Sequence, residues 1–307
     1  MNDEIIQSYL KAGKAVAKAL HLAKLIVRPG AKFFDIATLC EGEILKQGCG
    51  LAFPANMSLD AIAAHYSPIL EDETKVPEHG LLKIDCGAEY DGYIADAAVT
   101  VNIGGDKGIY EDLVTASEEA LNAAIRTARD GIKVTDIGKE IYKTIMKYNV
   151  KPIANLGGHG LGQFEIHDPP FIPNTPKGAD NSQLIADHVY AIEPFTTNGY
   201  GQVKNGEETN IFEVGNTKKK NMKIEERALV QKFKSKFNSL PFSPRAVDFI
   251  EGTSNINSVI DKFRRKGILN GYPILVEIAG GMVAQTEHTI IVFNDKVHVT
   301  TTLDNDL

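Results

Sequence analysis

The segment from residue 80 to residue 103 constrains the fold of this chain most strongly. Its pattern indicates β-structure on both sides of Asp91-Gly92, a dipeptide that is typical of two-residue hairpin turns. With that turn, Asp85 lies opposite Ala98, so Asp96 shares the face of Asp85. The two carboxylates then become diagonal neighbours across the hairpin, with their backbones about 6–8 Å apart.

Two like charges on one face of an apolar hairpin repel each other unless a cation lies between them. Side chains at this separation can converge on two metal ions about 3.5–4 Å apart. Three further candidate ligands occur in glycine-rich or strand-like contexts, namely His159, Glu193 and Glu287. Carboxylate oxygens and imidazole nitrogens suit first-row divalent metals. If all five residues converge, they form a two-metal hydrolytic site.

Each of these residues alone also has an ordinary explanation. An isolated aspartate is often a turn or cap residue, and an isolated histidine often lies in a surface loop. Glu193 precedes Pro194, which places it at the end of a strand that would otherwise be core. His65, in Ala64-His65-Tyr66, would by itself be structural, since few histidines are catalytic.

The order of predicted elements indicates an α+β fold. Apolar spacing predicts helices at 3–28, 35–47, 110–130 and 134–148, with β-structure at 51–65, 80–103 and 152–195. Two helices accompany β-structure in each half of this order, which suggests one α+β unit used twice. The composition changes near residue 214, where Lys, Arg, Asn and Ser become frequent. We therefore expect a main domain of residues 1–213 and 273–307, interrupted by a helical insert at 214–272.

Composition excludes few classes of protein, but it does indicate the cellular compartment. The chain has 307 residues, of which 43% are hydrophobic and 24% charged, which suits one large domain with an ordinary core. A net charge of −7 argues weakly against a nucleic-acid binder, although it leaves room for a local basic patch. No apolar run reaches the roughly 18 residues of a membrane span, and the acidic start is unlike a signal peptide. Three cysteines without metal-finger spacing predict a reduced cytoplasmic protein.

Several motifs, in order along nearly the whole chain, resemble those of the methionine aminopeptidases. The matching segments are Ala52–Asn56, Ala64–Pro68, the Asp85/Asp96 hairpin, Gly158–Gly160, Ala191–Pro194 and Gln285–Thr289. The helical insert resembles the type II subfamily, and the lack of an N-terminal extension resembles its archaeal members. The resemblance implies a pita-bread fold, in which helices flank a pseudo-twofold antiparallel β core.

The resemblance also implies a role for each candidate ligand. Asp96 and Glu287 would bridge two divalent metal ions, Asp85 would chelate one of them, and His159 and Glu193 would complete the other. A hydroxide held between the metals would attack the carbonyl of the first peptide bond. Glu193 would also transfer the proton.

On the substrate side, the resemblance assigns four residues. His167 would donate a hydrogen bond to the scissile carbonyl, and His65 would contact the substrate or the leaving amine. Phe53 would line an apolar pocket, which suits a methionine side chain. Met282 would line it too, at a position where type II relatives often carry an aromatic residue.

The implied activity is removal of the initiator methionine from nascent proteins that have a small second residue. The resemblance implies two divalent metal ions as cofactors. Whether they are Co, Mn, Fe or Zn is open. The expected partners are the N-termini of nascent polypeptides; contact with the ribosome is left open. We expect a monomer that neither binds a membrane nor recognises nucleic acid by sequence.

Alternatives from other classes remain at this point. An X-Pro aminopeptidase or dipeptidase would share the fold, but such enzymes usually carry an additional N-terminal domain of about 100 residues. A non-catalytic pita-bread protein that binds a partner would have lost metal ligands. A nuclease or phosphatase could use the same ligands, but nothing basic lies beside the motifs.

Overall fold

The fold is described from a computed structural model that covers residues 1–176, 181–217 and 221–304. Within these ranges the helices are α1 (Asp3–Ile26), α2 (Phe33–Lys46), α3 (Ile109–Thr127), α4 (Val134–Ile145), α5 (Ile224–Phe237) and α6 (Thr253–Arg265). The strands are β1 (Gly50–Leu59), β2 (Ile62–Ala64), β3 (Gly80–Tyr90), β4 (Tyr93–Ile103), β5 (Lys151–Pro152), β6 (Gly157–Gly162), β7 (Glu165–Pro173), β8 (His188–Ile192), β9 (Phe195–Thr197), β10 (Val203–Val214), β11 (Leu269–Glu277), β12 (Val283–Gln285), β13 (His288–Val292) and β14 (Val297–Val299).

In the first half, α1 and α2 pack against the sheet β1-β3-β4. The side chain of Asn2 caps α1 by accepting a hydrogen bond from the backbone N–H of Ile5 at 2.9 Å. A stripe of small residues lets α1 lie close to the strands: Ala12, Ala15, Ala19 and Ala23. These helices cover one face of the sheet and leave its other face to the site.

The hairpin of β3 and β4 has the register that the sequence predicts. Asp91 and Gly92 form its turn with φ values of 53° and 82°, the positive angles that a two-residue turn of this kind requires. Asp85 pairs with Ala98, and Asp96 pairs with a residue two positions from Asp85. The two carboxylates therefore share one face, as predicted.

In the second half, α3 and α4 pack against strands of a five-stranded sheet in the order β14-β13-β8-β6-β7. Every strand pair of the described residues is antiparallel. Two helices against antiparallel strands thus occur in each half of the chain. This confirms the predicted α+β class.

Residues 215–268, between β10 and β11, are called the helical segment. Their described residues form α5, α6 and a 3-10 turn at Pro244–Ala246. Phe233 is at the centre of a separate aromatic core, with ring centroids 5.1 Å from Phe242 and 4.9 Å from Phe249. This segment therefore has apolar packing of its own.

Two further features concern the hydrophobicity of the helices and the state of the cysteines. None of the helices in the described ranges has the combination of length and hydrophobicity that crossing a membrane requires. All three cysteines are buried free thiols.

Candidate active site

A cavity of about 450 Å³ lies against the hairpin of β3 and β4. Its lining includes eight of the nine residues that the sequence singled out: Phe53, His65, Asp85, Asp96, His159, His167, Glu193 and Glu287. These residues come from positions 53 to 287, so the fold brings distant motifs to one place.

The five candidate ligands form the floor of this cavity. Asp85 lies on β3, Asp96 on β4 and His159 on β6, while Glu193 directly follows β8 and Glu287 lies between β12 and β13. Strand β8 pairs with both β6 and β13, so the sheet itself brings the later ligands together. The predicted position of Glu193 at a strand end is confirmed.

The ligand atoms of the floor lie close to one another. One donor atom each of Asp96, His159 and Glu287 lies within 4.8 Å of the other two. The Nε2 atom of His159 is 3.9 Å from Asp96 Oδ2 and 3.6 Å from Glu193 Oε1. One oxygen each of Asp85, Asp96 and Glu287 is buried and accepts no hydrogen bond from the described residues. Such orphaned oxygens are available to a metal ion.

Burial controls the protonation of these groups when no metal is bound. It raises the pKa of Asp85 to about 7 and raises the pKa values of Asp96, Glu193 and Glu287 well above their ordinary range. Neighbouring carboxylates raise the last three further. Burial lowers the pKa of His159 to about 3, so its ring is the neutral imidazole that binds metals.

Within the described part of the chain, no lysine or arginine neutralises the floor. No lysine or arginine lines the cavity among the residues described. Lys83, two residues before Asp85, donates instead to the backbone carbonyl of Asp60 at 2.7 Å. Two buried and two half-buried carboxylates without a cation are costly, whereas oxygen donors with one imidazole suit a first-row divalent metal. The residues present therefore fit a metal centre.

Side chains that the sequence reasoning missed hold the floor together. The Thr289 hydroxyl accepts from the backbone N–H of Asp96 at 2.7 Å and donates to its carbonyl at 2.8 Å. The amide of Gln285 donates to Glu287 at 3.2 Å and to Glu193 at 3.4 Å. These polar residues are buried within apolar strands, a signal that could have identified them.

The substrate side of the cavity carries three rings. His167 lies 4.7 Å from His159, measured between ring centroids. Tyr272 lies 5.8 Å from His65 and 6.3 Å from His167, and its hydroxyl donates to Glu213 at 2.5 Å. Tyr272 is a further residue that the sequence does not predict, since its only signal is its position just after the helical segment.

Burial also determines the state of the substrate-side histidines. It lowers the pKa of His65 to about 4 and lowers that of His167. Both rings are therefore neutral near pH 7, so each can donate or accept a hydrogen bond. His65 has a left-handed backbone, with φ of 68°, and its Nδ1 lies 3.2 Å from the carbonyl of Pro273. Such strain is typical of functional positions.

An apolar wall completes the cavity. It is formed by Phe53, Phe171, Phe195, Ile211, Pro241 and Leu275. The ring of Phe53 lies directly over Gly87 of β3, where any Cβ atom would collide with it. A glycine at position 87 is therefore required for Phe53 to reach the cavity.

Met282 is not brought to this cavity, contrary to the expectation from the resemblance. It lies at a separate surface depression beside Lys151 and Tyr200. The next residue, Val283, begins β12 and is buried against the side of Phe195. Because successive side chains of an extended segment point to opposite faces, Met282 is directed elsewhere.

Comparison with known proteins agrees with this geometry. The model of metallopeptidase family M24 matches residues 7–232. The chain is 39% identical over 303 residues to a methionine aminopeptidase of Saccharolobus solfataricus, covering 98% of this chain and 99% of that protein. The chain belongs to metallopeptidase family M24. Three residues of its floor, Asp96, His159 and Glu287, lie close enough together to hold a metal ion. Within that family the chain is a member of the methionine aminopeptidases, of the archaeal type.

Solved structures confirm the fold. One described as a thermophilic Arx1 superposes with a TM-score of 0.85 at 19% identity, covering 98% of this chain and 92% of that chain. A methionine aminopeptidase of Thermotoga maritima superposes with a TM-score of 0.72 at 23% identity, covering 98% of each chain. At these identities the likeness concerns the fold alone, and it confirms the predicted pita-bread architecture.

Proposed function

We propose that this protein removes the N-terminal methionine from nascent polypeptides with a small second residue. The observation that carries the proposal is a cluster of two buried and two half-buried carboxylates with one neutral histidine, beneath an apolar wall, to which the described residues add no lysine or arginine. Asp85, Asp96, His159, Glu193 and Glu287 would together hold two divalent metal ions. When bound, such ions polarise the peptide carbonyl and lower the pKa of a water molecule.

The residues of the chain then have separate tasks. Glu193 accepts the proton of the attacking water and passes it to the leaving amine, a role that its place beside His159 permits. His167 donates to the carbonyl oxygen as negative charge develops there. His65, held by Pro273 and Tyr272, orients the peptide on the leaving-group side. Phe53 and its apolar neighbours hold the methionine side chain.

A peptide panel tests this proposal. Met-Ala-Ser, Met-Lys-Ser and Ala-Pro-Ser are incubated with metal-free protein to which Mn, Co, Fe or Zn is added in turn. We expect cleavage of Met-Ala-Ser, little cleavage of Met-Lys-Ser, none of Ala-Pro-Ser, and complete loss of activity with a chelator. Cleavage of Ala-Pro-Ser would favour an X-Pro peptidase, and no cleavage at all would favour a non-catalytic binding protein. Restoration by one metal only would identify the cofactor.

We further propose that residues 214–272 act as an insert subdomain that contacts the ribosome. They contain thirteen lysines and arginines against five aspartates and glutamates, in a chain whose net charge is −7. A basic surface on an acidic protein favours contact with RNA phosphates. We expect cosedimentation with ribosomes that weakens with salt and is lost when Arg264 and Arg265 are changed to Glu. Salt-independent cosedimentation would contradict an electrostatic contact.

The same proposal includes a cytoplasmic monomer. Three free buried thiols are compatible with a reducing compartment, where nascent chains are made. Sedimentation analysis of the purified chain tests the monomer, and fractionation of cells tests the compartment.

A further inference from the structure

One stretch of the substrate wall is not held by regular strand pairing. The register of β1 against β3 is interrupted between Leu51 and Phe53 and again between Phe53 and Asn56. Ala55 lies within this bulged stretch, so its backbone groups need other partners. Its N–H donates to Glu41 of α2 at 3.1 Å, and its carbonyl accepts from the Ser67 hydroxyl at 3.0 Å. Two side chains thus replace the missing ladder bonds.

One arginine of the helical segment joins these two side chains. Arg245, in the 3-10 turn, pairs through Nη2 with the carboxylate of Glu41. Its Nη1 donates to the Ser67 hydroxyl at 3.2 Å and also to the carbonyl of Pro68. The side chains of Arg245 and Glu41 are only 6% and 16% exposed. A pair this well shielded is specific in geometry and costly to break.

The joined residues lie directly behind the substrate side of the cavity. Phe53 and Asn56, on either side of Ala55, both line the cavity. His65, whose strained backbone needs support, is two residues before Ser67. We propose that Arg245 is a positioning residue: it fixes Glu41 and Ser67, which hold the bulged wall of β1 and His65 in place for the substrate. The functional part of this inference rests on the proposed aminopeptidase activity.

The contacts of Arg245 with Glu41, Ser67 and Pro68 are called the junction. Their chemistry requires arginine. A planar guanidinium can direct separate nitrogens to a carboxylate, a hydroxyl and a carbonyl at once. A lysine side chain ends in a single nitrogen. It can retain the positive charge, but it cannot donate to the carboxylate, the hydroxyl and the carbonyl in the geometry of the guanidinium. Arg245→Lys therefore separates the geometric role from the charge.

Kinetics of three variants test the inference. In Arg245→Met we expect KM for Met-Ala-Ser to rise roughly tenfold, with kcat changed by less than about threefold and metal content unchanged. Discrimination between Met-Ala-Ser and Leu-Ala-Ser should fall, since Phe53 loses its support. Arg245→Lys should not rescue KM. The control is Lys266→Met, which breaks another ion pair of the helical segment, the one with Glu226 at 2.6 Å, and should leave KM unchanged.

Hydrogen exchange provides a readout that does not depend on activity. The backbone amide of Ala55 should exchange at least about tenfold faster in Arg245→Met than in the wild type or in Lys266→Met. If Arg245→Met does not fold, Glu41→Gln keeps an acceptor for Ala55 but removes the ion pair, and should show a smaller increase. Unchanged exchange at residue 55 and unchanged KM in a folded junction variant would overturn the inference. If the wild type cleaves no methionyl peptide, the proposed function fails, and exchange alone decides whether Arg245 supports the wall.

Discussion

Glu226 and the carboxylates of the cavity floor are shielded from water but stabilised in opposite ways. Glu226, in the helical segment, is 2% exposed and accepts from Lys266 at 2.6 Å and from Lys262 at 2.9 Å. The carboxylates of the cavity floor are buried or half-buried, but no lysine or arginine pairs with them among the described residues. The pKa values follow this difference: hydrogen bonds from the lysines lower that of Glu226 to about 2, whereas burial raises that of Asp85 to about 7.

The comparison distinguishes structural charge from functional charge. Where the chain supplies its own cations, the carboxylate belongs to a closed ion pair and contributes to stability. Where it supplies none, the cation must come from solution, and the site remains reactive toward a ligand. Glu226 and the floor carboxylates should therefore respond differently to substitution and to pH.

The largest expected effect comes from the same substitution, Glu to Gln, made once in the cavity floor and once in the helical segment. Glu193→Gln should lower kcat by roughly a thousandfold, because the amide cannot accept a proton. Glu226→Gln should leave kcat near the wild-type value and lower the melting temperature, since it breaks only the lysine pairs. Steady-state kinetics and thermal unfolding measure both. Near-wild-type turnover in Glu193→Gln would remove its assigned role.

A second substitution separates the floor from the substrate side. His65→Ala should lower kcat/KM by roughly a hundredfold while bound metal, measured by elemental analysis, stays unchanged. The reason is that His65 contacts Pro273 and Tyr272 but is not one of the candidate metal ligands. His79→Ala, at an exposed histidine paired with Asp106, is the matched control and should have no effect. Loss of metal from His65→Ala would contradict the division of tasks.

The two groups should also give stability opposite dependences on pH. In the metal-free protein, the raised pKa of Asp85 contributes stability that is present below its ordinary value of 3.8 and lost as pH rises through about 7. The lowered pKa of Glu226 contributes stability present above 4.5 and lost as pH falls through about 2.

We therefore expect the metal-free melting temperature to fall by at least about 5 °C between pH 5 and pH 8. Saturating divalent metal should abolish this fall, because the floor carboxylates are then ionised ligands. Glu226→Gln should weaken the acid-induced loss below pH 4 without changing the fall above pH 5. A metal-free melting temperature that rises from pH 5 to pH 8 would contradict the assignment.

The smallest effect concerns a carboxylate between the two types. Glu213 is half-buried and accepts from Tyr272 at 2.5 Å and from Asn270 at 2.9 Å, so neutral donors hold it. Glu213→Gln and Tyr272→Phe should each lower kcat/KM by about threefold, and the double variant by no more than either alone. Additive losses would show that the two residues act independently.

Local chemistry explains why part of this site was predictable. The Asp91-Gly92 turn sets the register of its hairpin through its own backbone angles, so Asp85 and Asp96 could be placed on one face from sequence alone. Glu193 could be placed at a strand end because Pro194 follows it. The first four helices and the hairpin begin and end within a few residues of their predicted bounds for the same reason: apolar spacing and turn chemistry are local.

The remaining contacts depend on how the sheets pack. Thr289 bonds to Asp96 across 193 residues, and Arg245 reaches Glu41 across 204 residues. No spacing rule connects such pairs. Met282 shows the converse: its neighbourhood matched a family pattern, but the strand that follows it turns the side chain away from the cavity.

The contact between Phe53 and Gly87 limits how the shape of the pocket can change by amino-acid substitution. A side chain gained at position 87 forces the ring out, and a smaller residue at position 53 leaves a void over the glycine. Either step alone damages the site, so a pocket of new shape is reached only when both positions change together. Libraries designed to alter the accepted first residue should therefore vary positions 53 and 87 as one coupled pair.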